Sequence, residues 1–176
     1  MSDSLITIVA IFLAAILMFV FPLMSVAERS DDISQLSVQT ATTEFVDNSR
    51  TIGKINWTNY NNLVTTLAAT GNTYDVEMEV KILDENVGKK SAWTSGTVIG
   101  ENVYYSVYTT QILDQMSEGG DSGEYKMKEG DIFSVSVKNT NTTLAQSIRS
   151  IFYSISGSGT SQVAAQHSGV VTANSK

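Results

Sequence analysis

The chain has 176 residues, of which 42% are apolar and 16% are charged, and its formal net charge is -7. This length suits one domain of ordinary size plus an apolar segment, because domains typically contain about 100–150 residues. The acidic balance argues against a nucleic-acid partner, since phosphate binding needs a face rich in Lys and Arg and the sequence shows none. The absence of cysteine excludes disulfide bonds and thiolate metal sites.

The stretch from Leu5 to Ala27, LITIVAIFLAAILMFVFPLMSVA, contains no charged residue. As a helix it would be about 35 Å long, which is enough to cross a hydrocarbon layer of about 30 Å. It could be a signal peptide, because Ser25-Val26-Ala27 has the small-x-small pattern of a cleavage site. However, the preceding MSDS lacks the basic residues that such a signal normally carries. A retained membrane anchor accounts for the apolar composition without further assumptions.

The residues after this segment also predict a helix, because no Gly or Pro occurs from Ile33 to Ile52. Side chains that could form one face recur there near helical spacing, at Ile33, Leu36, Thr40 and then Glu44 or Phe45. Gly53 is the first stop signal. The simplest prediction is one helix from about Leu5 to Ile52, apolar in its first half and amphipathic in its second, with a bend at Pro22.

The residues from Gly53 onward predict short elements of both kinds. NWTNYNNLVTTLAATG predicts a helix that is capped by Asn56 and ends at Gly71. TYDVEMEVKIL alternates apolar and polar residues, which is typical of a strand with one buried and one solvated face. ENVYYSVYTTQILDQM predicts a strand that continues into a helix.

The C-terminal third predicts a strand, a helix and a final strand. GDIFSVSVKN alternates again, and NTNTTLAQSIRSIFYSIS predicts a helix with a capping box of Thr143 and Gln146. The apolar stripe of this helix contains Leu144, Ile148, Ile151 and Ile155. SQVAAQHSGVVTA reads as a weak strand. Strands interleaved irregularly with short helices predict an α+β fold with an antiparallel sheet.

The sequence does not predict an active site. His167 is the only histidine, which excludes a multi-histidine metal site, and Ser168 beside it would face the other side of a strand. Asp75, Glu77 and Glu79 share one strand face, but side chains two residues apart are about 6.6–6.8 Å apart, which favours a solvated face over a cation site. We therefore expect a non-enzymatic protein without cofactor or metal.

A long helix that is apolar in its first half, followed by a small α+β head, resembles the subunits of the type IV pilin superfamily. The stretches ATTEFVDNSRTIGKI, NYNNLVTTLAATGNTYDVEMEV and GDIFSVSVKN, and later TLAQSIRSIF, are similar to small pilin-like proteins of Tad-type loci in Gram-positive bacteria. A Pro near the position of Pro22 is familiar in that superfamily. This sequence departs from the pattern because it has no basic leader ending in Gly and no Glu at the fifth position.

The resemblance implies a helix of residues 1–28 for the membrane and the filament core, an amphipathic continuation over residues 29–52 that lies against the head, and an α+β head of residues 53–176. The implied assembly residues are Leu5, Ile8, Ile11, Phe12, Ala14, Ala15, Met18, Phe19 and Pro22. Asp3 is the acid close enough to the N-terminus to take the place of the missing Glu and to pair with a neighbour's N-terminal amine.

The partners implied by the resemblance are the membrane before assembly and then copies of the same chain in an extracellular filament at the cell surface. The pilus assembly machinery is a further implied partner, and nucleic acid is not. Two alternatives stay open. The chain could be a monomeric membrane-anchored module that binds a ligand or another envelope protein, or a secreted soluble protein that begins at Glu28.

Overall fold

The computed structural model describes residues 2–83, 104–118, 123–153 and 164–175. Within these residues the fold is α+β, as predicted, with one long N-terminal helix, antiparallel sheets and short helices. The helices are α1 (Ser2–Ile52), α2 (Trp57–Ala68), α3 (Thr109–Glu118) and α4 (Leu144–Tyr153). The strands are β1 (Lys54–Asn56), β2 (Tyr74–Leu83), β3 (Tyr104–Tyr108), β4 (Glu124–Lys126), β5 (Ile132–Asn139) and β6 (Ala164–Val170).

The long helix α1 confirms the prediction of a single helix through both the apolar and the amphipathic stretch. It ends at Ile52, directly before Gly53, whose φ of +73° is a left-handed conformation that glycine adopts without steric cost. Arg50 lies in the last turn, where a cation interacts favourably with the helix dipole. Pro22 lies inside the helix.

The predicted helical stripe does not coincide with the buried face of α1. Ile33 and Leu36, two of its members, are 67% and 66% exposed, whereas Phe45 is buried. The buried positions of the helix are Ala27, Ser34, Val38, Thr42, Phe45, Val46 and Ser49. Several of them are small or hydroxyl-bearing, and the hydroxyl of Thr42 donates to the carbonyl of Val38 at 2.7 Å. Because this bond satisfies the hydroxyl inside the helix, Thr42 can be buried at a position that apolar spacing does not reveal.

The chain divides into two compact units, which are described separately. The first unit consists of residues 1–36 and 142–163, and its described elements are the front part of α1 and the helix α4. The second unit consists of residues 37–141 and 164–176, and it contains the end of α1, the helices α2 and α3 and both sheets.

The second unit is built on a four-stranded antiparallel sheet with the strand order β3-β2-β5-β6. Val80 of β2 lies opposite Phe133 of β5, and the ring of Phe45 from α1 packs edge-on against Phe133 with 5.8 Å between the ring centroids. The fully buried side chains of the two central strands are Met78, Val80, Phe133, Val135 and Val137. Their spacing of two residues confirms the predicted alternation, which places these residues in the core and their polar neighbours on the outer face.

The predicted start of α2 is also confirmed. The side chain of Asn56 accepts a hydrogen bond from the backbone N–H of Asn59 at 2.8 Å, which satisfies one of the free donors of the first turn. Leu63 and Leu67 are buried, while Val64 beside them is exposed. The helix therefore contributes a narrow apolar stripe to the second unit.

In the first unit, α4 begins with the predicted capping box. The hydroxyl of Thr143 accepts from the backbone N–H of Gln146 at 3.2 Å, and the side-chain oxygen of Gln146 accepts from the N–H of Thr143 at 3.1 Å. Leu144, the first residue of the predicted apolar stripe, is exposed. Ile155, the last residue of that stripe, lies outside the described residues.

The C-terminal residues close the second unit around the end of α1. Val171 is buried, and the backbone N–H of Thr172 donates to the carbonyl of Arg50 at 3.0 Å. Gly53 lies so close to the backbone of Ala173 that a Cβ atom at Gly53 would overlap with the Ala173 carbonyl oxygen. Glycine is therefore required at this position for its size as well as for its φ angle.

We expect Gly53→Ala to destabilise the chain more than Gly71→Ala. Both glycines have a positive φ, of +73° and +79°, but nothing lies within 4 Å of the Cβ position of Gly71. The left-handed conformation alone should cost about 1–2 kcal/mol in either variant, and the overlap should add about 1–3 kcal/mol at Gly53. Chemical denaturation of the full chain in detergent measures both losses, and equal losses would contradict the close packing of the C-terminal residues on Gly53.

Candidate functional site

The main surface feature of the first unit is the apolar front of α1. Its large apolar side chains that are more than half exposed are Leu5, Ile6, Ile8, Val9, Ile11, Phe12, Leu13, Ile16, Met18, Phe19, Phe21, Leu23 and Val26. The most apolar part of this helix is not buried at all by the rest of the chain. Soluble proteins rarely expose apolar patches of more than a few hundred Å², so a surface of this kind indicates a membrane or a partner.

All predicted assembly residues lie on this exposed surface. The positions are Leu5, Ile8, Ile11, Phe12, Ala14, Ala15, Met18, Phe19 and Pro22, and each is exposed. Asp3 lies in the first turn of α1, and its backbone carbonyl accepts from the hydroxyl of Thr7 at 2.8 Å. That the carboxylate of Asp3 pairs with the N-terminal amine of a neighbouring copy stays a prediction.

Apolar residues on one side of the helix form a line that we call the apolar seam. It consists of Ile8, Ile11, Ala15, Met18, Pro22, Val26, Ile33 and Leu36. These positions are separated by three, four or seven residues, which is the spacing that keeps side chains along one side of a helix. The sequence interpretation missed the last part of the seam, because it grouped Ile33 and Leu36 with Thr40 and then Glu44 or Phe45 instead of with the apolar segment. The seven-residue step from Val26 to Ile33 is the signal that connects them to the apolar segment.

The helix α1 is long and apolar enough to cross a membrane. A helix satisfies its own backbone N–H and C=O groups, which is the condition for lying in hydrocarbon. The core helix of a soluble protein can have the same composition, but such a helix is buried, and the apolar part of α1 is not.

A charge in the middle of the apolar segment should weaken membrane insertion. Ile16 lies halfway between Leu5 and Ala27, and Ile16→Asp places a carboxylate where an acidic residue costs about 2.5–3.5 kcal/mol. We expect alkaline carbonate to extract a larger fraction of this variant than of the wild type from membranes, whereas the matched variant Ile16→Leu should stay in the membrane pellet. An Ile16→Asp chain that pellets like the wild type would contradict membrane insertion of this segment.

The single histidine lies beside a carboxylate rather than beside a nucleophile. In the second unit, Nε2 of His167 is 3.2 Å from Oδ1 of Asp47, and Nε of Arg50 donates to the same oxygen at 2.7 Å. The Arg50 side chain lies directly over Gly169, where a Cβ atom would overlap with it. Ser168 is exposed and pairs with β5 in the sheet. The cluster joins β6 to the end of α1, and we assign it a structural role.

The hydrogen bond from Arg50 and the one with His167 hold the pKa of Asp47 below its ordinary value. A carboxylate whose pKa is lowered by folding stabilises the fold above its unfolded pKa of about 3.9, and this stabilisation is lost as the pH falls through the lower folded value. We therefore expect Asp47→Asn to lower the melting temperature near neutral pH, and the difference from wild type to disappear in acid, once the folded chain has Asp47 protonated. Thermal unfolding across this range measures the difference, and a gap that persists in acid would contradict the ionic role of Asp47.

Two acidic side chains on the outer face of β2, those of Glu77 and Glu79, are paired across the sheet. Nζ of Lys138 donates to Oε2 of Glu77 at 2.9 Å, which raises the pKa of Lys138, and the hydroxyl of Ser106 donates to Oε1 of Glu79 at 2.7 Å. Among the residues that the structure describes, no three His, Cys, Asp or Glu side chains converge on a position that could hold a metal ion. These pairs on the outer surface of the sheet agree with the predicted solvated face of β2.

No protein-family model matches the chain, and no curated protein or solved structure matches it either. The exposed helix and its apolar seam are therefore the features from which a function can be inferred.

Proposed function

We propose that the chain is a pilin-like structural subunit. Before assembly its apolar helix lies in the membrane, and on assembly this helix packs against the same helix of other copies in an extracellular filament. The observation that carries the proposal is the apolar seam, because it is unburied within the chain and continues beyond the segment that a membrane would cover.

A simple membrane anchor accounts for the seam only up to Ala27. Ile33 and Leu36 lie about 9 Å and 14 Å further along the helix at 1.5 Å per residue. The headgroup layer on each side of a bilayer is only about 5–8 Å thick. Leu36 of an isolated anchored chain would therefore project its exposed side chain into water. A second helix that carries the same seam would cover it.

Self-assembly through this seam is also energetically reasonable. Removing a leucine or isoleucine side chain from water contributes about 1.5–3 kcal/mol, so Ile33 and Leu36 would favour association outside the membrane. Within the apolar segment, where lipid is as apolar as the protein, close packing of side chains must supply the attraction. Ala15 on the seam and Ala14 beside it are small enough to let two helices approach closely.

The variant Leu36→Asp tests assembly separately from membrane insertion, because position 36 lies outside the apolar segment. We expect the chain to remain in the membrane fraction and to fold, but to form no fibres that can be sheared from cells and sedimented. A charge on the seam would be desolvated between neighbouring helices without a partner, and this cost would be repeated in every subunit.

The matched control is Asn48→Asp, which introduces the same charge at an exposed position of α1 that is twelve residues from Leu36 and is not its neighbour on the helix surface. This variant should form fibres like the wild type in electron micrographs. Fibres of Leu36→Asp in normal amounts would contradict the seam as the assembly surface. A wild-type chain that stays in the membrane fraction as a monomer would contradict the filament and favour the membrane-anchored binding module.

A further inference from the structure

We propose that the second unit binds a neutral sugar in a cleft on the outer face of its four-stranded sheet. The cleft has a volume of about 590 Å³, and the lining residues that matter most are Glu77, Glu79, Tyr108, Ser134, Ser136 and Lys138. Pockets that hold small molecules have volumes of about 300–1,000 Å³. The inference goes beyond the proposed function and does not depend on it, because none of these residues belongs to α1.

The floor of the cleft is formed by two short side chains of the central strand β5. Ser134 lies opposite Glu79 of β2. Ser136 lies opposite Glu77 of β2 and, on its other side, opposite Gln166 of β6. Directly opposite residues of an antiparallel pair point to the same face of the sheet. Because serine is much shorter than glutamate or glutamine, the longer side chains leave a hollow above β5.

The β3 side of the cleft carries an exposed aromatic ring on a fixed backbone. Tyr108, the last residue of β3, is 58% exposed, and its backbone N–H donates to Oε1 of Gln111 at 3.0 Å. The hydroxyl of the next residue, Thr109, accepts from the N–H of Met78 at 2.6 Å and donates to its carbonyl at 3.2 Å. The face of an aromatic ring is negative and the C–H groups of a sugar ring are weakly positive, so a sugar can pack on this ring.

The polar groups of the cleft can both donate to sugar hydroxyls and accept from them. The carboxylates of Glu77 and Glu79 accept, the ammonium of Lys138 donates, and the serine hydroxyls do both. Nζ of Lys138 donates to Glu77 at 2.9 Å, and the hydroxyl of Ser106 donates to Glu79 at 2.7 Å. A carboxylate has about four acceptor positions, so these bonds orient it and leave positions for a ligand. Groups that are oriented before binding lose less conformational freedom, which favours affinity.

The charge of the cleft favours an uncharged ligand. Among the described residues that line it, Glu77 and Glu79 are acidic and Lys138 is the only cation. The ammonium of Lys138 is already paired with Glu77, so a phosphate, sulfate or carboxylate of a ligand would meet more negative than positive charge. An apolar ligand would remove the carboxylates from water without replacing their hydrogen bonds. A neutral sugar avoids both costs, because it has many hydroxyl groups and no charge.

Saturation-transfer NMR can measure binding to the full-length chain in a zwitterionic detergent that has no sugar headgroup. The neutral sugars to be tested are lactose, maltotriose, mannotriose and N-acetylchitotriose, and sialyllactose is the anionic counterpart of lactose. Tyr108→Ala removes the aromatic ring, and Ser136→Gln fills the floor of the cleft with a longer side chain. Tyr104→Ala is the matched control, because this exposed tyrosine lies on the same strand, about 13 Å away, and does not line the cleft.

We expect at least one of the neutral sugars to bind with a dissociation constant of about 1 mM or lower. Tyr108→Ala and Ser136→Gln should each weaken its binding several-fold, Tyr104→Ala should leave it unchanged, and sialyllactose should bind no more tightly than lactose. The two cleft variants alter different strands, so either of them tests the site if the other fails to fold by circular dichroism.

The inference would be overturned if none of the neutral sugars bound, or if binding were as strong in both cleft variants as in the wild type. An equal loss of affinity in Tyr104→Ala would contradict the assigned position of the sugar. Tighter binding of sialyllactose than of lactose would contradict the preference for an uncharged ligand.

Discussion

The apolar front of α1 cannot remain in water, and this constraint determines how the rest of the chain can be interpreted. Apolar surface contributes about 25 cal/mol for every Å² removed from water, and the side chains from Leu5 to Val26 are largely exposed in the isolated chain. The backbone of the segment is already satisfied by helical hydrogen bonds, so hydrocarbon or the helices of other copies can surround it. The same helix can therefore exist in two environments without refolding, as the proposed transfer from a membrane to a filament requires.

The back part of α1 obeys the opposite constraint, because it is packed inside the second unit. Phe45 packs edge-on against Phe133 of the sheet, and the positions around it include the small residues Thr42 and Ser49. Small side chains let a helix lie close to a sheet, and the Thr42 hydroxyl is satisfied within the helix. The helix α1 is thus continuous, although its front part exposes apolar side chains that need contacts outside the chain and its back part is packed within the second unit.

Local rules account for the parts of this structure that the sequence predicts well. The stop at Gly53, the cap at Asn56 and the alternation along β2 and β5 depend on residues that are close in the chain. The exposure of Ile33 could not be predicted from the sequence, because the buried face of a helix depends on which tertiary surface the helix meets. The pair of Asp47 and His167 lies 120 residues apart and has no local signal. The apolar segment could be recognised in the sequence from its composition. The complete apolar seam could not, because Ile33 and Leu36 follow the charged stretch from Glu28 to Asp32.

The closure of the second unit by its last residues has a consequence for the order of events during synthesis. The strand β6 is an edge strand of the sheet and pairs with β5, and Val171, which follows it, is completely buried. The ribosome must therefore release the residues up to Val171 before this unit can be completed. The apolar segment precedes all residues of this unit and emerges earlier, and domains fold only when their residues are available. Capture of the apolar segment by a membrane would precede folding of the second unit. The apolar side chains would therefore be removed from water before β6 pairs with β5.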